Sequence, residues 1–120
     1  LDTVLKRKAG KLSGGWQRKL SIALALISEP KILFLDEPTL GLDILGRREL
    51  WALINRLKEK TTIVLTTHYL EEAETLCDRI CVMKDGQIKA IGTVEELTHM
   101  TNTETFEDAF VNIVTREGLV

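Results

Sequence analysis

Two adjacent carboxylates, Asp36 and Glu37, follow the apolar run Ile32-Leu33-Phe34-Leu35 and precede Pro38. Neighbouring negative charges repel unless a cation sits between or beside them, and Mg²⁺ carried by a nucleotide is one such cation. Taken alone, an Asp-Glu pair at a strand end is more often a solvated edge. About two dozen residues earlier stands Ser13-Gly14-Gly15. Two glycines after a serine at a helix start leave backbone amides uncovered at the positive end of the helix dipole, which suits a phosphate. An ordinary capped helix start has the same look. Gly41-Leu42-Asp43 adds a tight turn carrying a carboxylate, and Thr66-Thr67-His68 ends a second apolar run.

These groups need elements to hold them. Leu20, Ala23, Leu24 and Ile27 recur at helical spacing and predict a helix over roughly residues 14–28 with one apolar stripe, N-capped by Ser13 and closed by Pro30. The run Lys31–Leu35 reads as a strand buried on both faces. Leu50, Leu53, Ile54 and Leu57 mark a second helix, and Thr62–Thr66 a second buried strand. Strand, helix, strand with short links is the crossover unit of an α/β fold with parallel strands. In such sheets ligands bind beyond the carboxyl ends of the strands, the edge on which Asp36, Glu37 and His68 are expected. A short acidic helix (Glu71–Leu76) follows, whose run Glu71–Glu74 also reads as a solvated face. Asp85-Gly86 between Ile80–Lys84 and Gln87–Ile91 signals a hairpin. Thr93 with Glu96 forms a capping box for a brief helix, and a last amphipathic segment covers about Glu104–Val114.

The chain has 120 residues, 44% hydrophobic and 28% charged, which fits one ordinary globular domain or a piece of one. A net charge of −2 and only 5% aromatics argue against nucleic acid as a partner. Cys77 and Cys81 stand four apart without a histidine at zinc spacing and read as two reduced, buried thiols. No apolar run approaches the ~20 residues a bilayer requires. Any membrane role would therefore come through a partner.

Together the motifs are specific. Leu12-Ser13-Gly14-Gly15-Trp16-Gln17 resembles the signature motif of the ATP-binding cassette (ABC) ATPases. Ile32 to Pro38 resembles their Walker B strand, Gly41-Leu42-Asp43 their D-loop, and Thr66-Thr67-His68 their switch histidine, all in family order. The resemblance spans essentially residues 1–120 and implies the C-terminal part of one P-loop NTPase (ABC ATPase) domain. It implies ATP and Mg²⁺ as cofactors, with Asp36 holding Mg²⁺, Glu37 as general base and His68 on the γ-phosphate. Asp43 would couple two active sites. Ser13, Gly14, Gly15 and Gln17 would face the nucleotide of an opposite ATPase subunit in a head-to-tail dimer. Trp16 departs from what many members carry there. His68-Tyr69-Leu70-Glu71-Glu72-Ala73-Glu74 and Leu76 to Ile80 look like exporter-type cassettes, which implies efflux through a transmembrane permease and a place on the cytoplasmic face of the membrane.

The phosphate loop G-x-x-x-x-G-K-[ST] does not occur: Gly10-Lys11 is the nearest approach, but Leu12 follows. The adenine-stacking aromatic and the glutamine loop are missing too. In the family the phosphate-loop strand lies between the histidine strand and the one corresponding to Ile80–Lys84. The chain alone is therefore expected to expose apolar edges and to aggregate. Two other readings compete. A soluble ABC ATPase of translation or DNA repair would usually show Asn-His-Leu-Asp at the D-loop, or a long insertion between Ser13 and Asp36, and neither is present. A non-catalytic remnant or interaction module is favoured by the missing phosphate loop and opposed by the intact Asp36, Glu37 and His68.

Overall fold

The computed structural model describes residues 14–116; the expected cap Ser13 and the basic stretch 1–11 lie outside them. The chain divides between Thr67 and His68 into two units. The first contains α1 (Gly14–Leu26), β1 (Ile32–Asp36), α2 (Ile44–Leu57) and β2 (Thr62–Thr66). β1 and β2 are parallel, in register from Ile32 opposite Thr62 to Asp36 opposite Thr66, with α2 as the connection. Leu50 and Ile54 of the expected stripe are fully buried, joined by Trp51 one residue on. α1 packs on α2 and buries Ile22. It ends where Glu29 takes a left-handed φ of 50° and its N–H returns to the Leu26 carbonyl, just ahead of Pro30.

Two sequence expectations need correction here. β1 is not buried on both faces: Leu33 is buried, but Ile32 is 53% and Phe34 73% exposed, as is 42% of Val64 beside Phe34 on β2. The stripe Leu20, Ala23, Leu24 and Ile27 on α1 is exposed as well, while Ile22 makes the inward contact. The physical reason is shared. Among the described residues of this unit, one helical layer lies against a two-stranded ladder and no element covers the apolar side chains of the other face.

The second unit contains α3 (Leu70–Leu76), the hairpin β3 (Ile80–Lys84) and β4 (Gln87–Gly92), α4 (Val94–Thr101) and α5 (Phe106–Val114). Asp85 and Gly86 both adopt positive φ (53° and 75°), the primed turn that matches strand twist and for which Gly is the cheapest residue. Strand alternation sends Ile80 and Val82 inward and Cys81 and Met83 outward, and the register shift between Val82 and Met83 skips Lys89, so that Ile88 and Ile91 of β4 are both exposed. The inward pair meets Leu97, Phe106 and Ile113 in the core of this unit. The capping box forms as expected: Glu96 N–H donates to Thr93 Oγ1 (3.0 Å) and Thr93 N–H to Glu96 Oε1 (3.3 Å). Lys84 Nζ donates to the Val114 carbonyl at the end of α5 (2.8 Å), where a cation suits the helix dipole.

Two details of this unit also differ from expectation. Glu72 is fully buried, because it shares the inner face of α3 with Leu76 at i, i+4, while Glu71 and Glu74 stay in solvent. Cys81 is exposed on the outer face of the hairpin and Cys77 is half-buried, both as free thiols. Within the described residues, the ladders β1–β2 and β3–β4 are separate sheets.

Candidate functional site

The C-terminal end of the parallel ladder gathers the first polar groups. Asp36 is the last residue of β1 and lies directly opposite Thr66, the last of β2. The Thr66 hydroxyl donates to Asp36 Oδ1 at 2.5 Å, fixing that carboxylate against the neighbouring strand. Glu37 then leaves the strand with φ of 48°, a left-handed conformation costly for a residue with a long side chain. Its N–H still donates to the Thr66 carbonyl at 2.8 Å, so the ladder continues one rung while the backbone reverses. Two carboxylates that repetitive strand geometry would send to opposite faces are thereby given separate environments. Asp36 is exposed at the edge, and Glu37 is partly buried.

Beyond Glu37 the chain folds back on itself. Leu40 N–H donates to the Glu37 carbonyl and Leu42 N–H to that of Thr39, each at 3.1 Å, with Thr39 fully buried between them. Gly41 sits at φ of 82°, which an L side chain adopts only under strain. Asp43 then caps α2: its Oδ1 accepts from Gly46 N–H at 2.7 Å. Sequence reasoning missed this capping role, although an aspartate just before an apolar-periodic segment is the ordinary signal for it.

Gly15, at the start of α1, and Asp43 line the same hollow, of about 470 Å³, with Trp16, Gly41, Leu42, Leu45, Gly46 and Glu49. Gly14 and Gln17 belong to the same first turn of α1, with Gln17 exposed. Ser13 lies outside the described residues. His68 opens the second unit, two residues past the end of β2, and is exposed. Of the expected site residues, the structure thus brings Asp36 and Glu37 to one strand end, and Gly15 and Asp43 to one hollow. Among the described residues no group of three or more His, Cys, Asp or Glu converges to hold a metal by itself. A carboxylate pair thus stands at the carboxyl end of a parallel α/β ladder, the edge beyond which such sheets take ligands.

Comparison with known proteins gives the family. Residues 1–40 match the family described as ABC transporter. The chain is 49% identical over 94 residues to ABC transporter A family member 10 of Arabidopsis thaliana, and 50% identical over 94 residues to member 7. Each alignment covers 78% of this chain and 10% of the relative, so the chain spans about a tenth of the length of these relatives. A solved structure of the ATP-binding subunit of an ABC transporter superposes with a TM-score of 0.74 at 31% identity, covering 88% of this chain and 45% of that one. The chain belongs to the ABC transporter ATP-binding domains. Its parallel strands, crossover helix and hairpin match part of that fold.

Proposed function

We propose that residues 1–120 are the C-terminal part of a single ABC ATP-binding domain which, when complete, hydrolyses ATP to drive transport through a membrane-spanning partner. The observation that carries this reading is the end of β1. There Asp36 is pinned to Thr66, and Glu37 is turned away from it by a left-handed backbone, so adjacent carboxylates take different tasks. Asp36 fits Mg²⁺: it offers hard oxygens at an exposed edge without a protein cage, as suits an ion that keeps waters and shares a nucleotide's phosphates. When bound, that ion would supply positive charge against the negative charge developing on the phosphates. Glu37 would take the proton of the attacking water, or orient it, as the bond between the β-phosphate oxygen and the γ-phosphorus breaks. His68 would contact the γ-phosphate.

In a head-to-tail pair of cassettes, Ser13, Gly14, Gly15 and Gln17 would face the nucleotide held by the opposite subunit, and Asp43 would couple the two sites. The exporter-like stretch from His68 to Ile80 supports efflux, with the domain at the cytoplasmic face of the membrane through its permease. Among the described residues no helix is long and apolar enough to cross a membrane.

A non-catalytic interaction module is the second reading, favoured by the missing phosphate loop. Calorimetric titration with MgATP separates the possibilities. The expected result is no binding to the 120-residue chain alone and binding by the complete domain. Tight, stoichiometric binding to the chain alone would overturn the partial-domain reading. No binding by the complete domain would favour the interaction module.

A further inference from the structure

A single arginine fastens the start of α1 to the loop that leaves β1. Arg18 is the fifth residue of α1. Its Nη1 donates to the Pro38 carbonyl and its Nη2 to the Leu40 carbonyl, the latter at 2.5 Å. Those two carbonyls lie between the left-handed residues Glu37 and Gly41, within the reversal that sets the direction of Glu37. The neighbouring side chain works on the other flank of the helix. Lys19 forms an ion pair with Glu49 of α2 at 3.2 Å, and its ammonium lies 4.9 Å from the centroid of the Trp16 ring. Two successive residues thus clamp the first turns of α1 between the loop and α2.

The chemistry of the clamp is specific to arginine. A guanidinium is planar and presents donors on two nitrogens in a fixed fork, so it can hold two carbonyls at a set separation. A lysine ammonium carries the same charge but is a flexible point donor. The carbonyls it meets are not sealed away: the Pro38 contact is partly buried and the Leu40 contact is exposed. Water can replace the guanidinium there. Loss of the side chain would therefore loosen the loop without leaving buried acceptors unpaired.

We infer that Arg18 is a positioning residue for hydrolysis, setting the Glu37 backbone in register with the Gly14-Gly15 start of α1. The inference rests on the ATPase reading proposed above. Under that reading Glu37 serves the chain's own nucleotide, while Gly14 and Gly15 serve the opposite one. Arg18 then fixes the spacing between two active sites from within one chain. It touches no reacting atom, and its effect passes through Glu37.

The test is steady-state ATP hydrolysis by the complete ATP-binding domain, carrying Arg18→Ala, Arg18→Lys or no substitution, with active sites counted by nucleotide-binding stoichiometry. A displacement of Glu37 by about 1 Å is enough to lower kcat roughly tenfold to a hundredfold. The expected result for Arg18→Ala is a loss of that size in kcat per active site, with KM for MgATP within about twofold, the pattern of an interaction needed mainly in the transition state. Arg18→Lys, able to reach one carbonyl at a time, is expected to recover part of the loss. A kcat within about twofold of the unsubstituted domain for both variants would overturn the inference. So would a failure of both to fold, or a lowered melting temperature with kcat per active site unchanged, since each marks a merely structural role. An unsubstituted domain that binds MgATP without hydrolysing it overturns the ATPase reading and this inference together. An active one with active variants overturns this inference alone.

Discussion

Phe34 gives the sharpest test of whether this chain is part of a larger folded domain. Its side chain is 73% exposed on β1, beside Ile32 and opposite Val64, so the middle of the ladder presents an uncovered apolar face. Full burial of a phenylalanine side chain stabilises by about 1.5–3 kcal/mol, and roughly three quarters of that is unrealised here. Replacement by threonine, which keeps strand propensity, should therefore change the stability of the 120-residue chain by no more than about 0.8 kcal/mol. It should also raise the concentration at which the chain begins to scatter light, because an apolar patch is lost. In the complete domain, where this face is proposed to be covered, the same substitution removes a packed ring and leaves a cavity at a cost of about 3–5 kcal/mol. Denaturant unfolding of both proteins, with and without Phe34→Thr, reads the two numbers. A loss of about 3 kcal/mol in the chain alone would refute the exposed face. A loss below about 1 kcal/mol in the complete domain would refute its proposed cover.

Two further outcomes follow from the site. Glu37→Gln in the complete domain keeps size and hydrogen bonding but removes the base, so MgATP affinity should hold while turnover falls by roughly 10²–10⁴-fold; unchanged hydrolysis in a phosphate-release assay would remove Glu37 from its role. Asp43 carries a cap bonded at 2.7 Å, so Asp43→Ala should cost about 1 kcal/mol, whereas Asp43→Asn, an equally good cap, should retain stability. If Asp43→Asn nonetheless lowers cooperativity in ATP in the paired cassettes, the carboxylate charge serves coupling apart from the cap; equal melting temperatures for the two variants would refute the capping role.

What was legible in the sequence was mostly local. Asp85-Gly86 names its turn because few residue pairs tolerate two successive left-handed positions, and Thr93 with Glu96 names a helix start because the two bonds close over three residues. Asp36 and Glu37 were legible as a strand-end pair, while the left-handed turn that separates them was not. The burial of β1 was misread for a physical reason. Four apolar residues in a row describe a strand that can be covered on both faces, and do not say whether this chain supplies both covers. Glu72 was obscured by its acidic neighbours, although its spacing from Leu76 puts the two on one helical face. Arg18 and Lys19 could not be read at all. Their partners lie 20 to 30 positions away, and the basic character of the helix start has no periodicity pointing to Pro38, Leu40 or Glu49.

The parallel register of β1 and β2 also has a consequence in time. Partners such as Ile32 and Thr62 stand 30 positions apart, while Lys84 and Gln87 at the hairpin turn stand three apart. At a synthesis rate of roughly 5–20 residues per second, β1 waits about 1.5–6 s for its partner strand to be made. A hairpin of the β3–β4 kind pairs within about 1–10 μs of emerging. During translation, the unit made first therefore spends seconds with an unpaired strand and the apolar side chains of Ile32 and Phe34 in solvent, while the hairpin of the unit made second pairs almost as it appears.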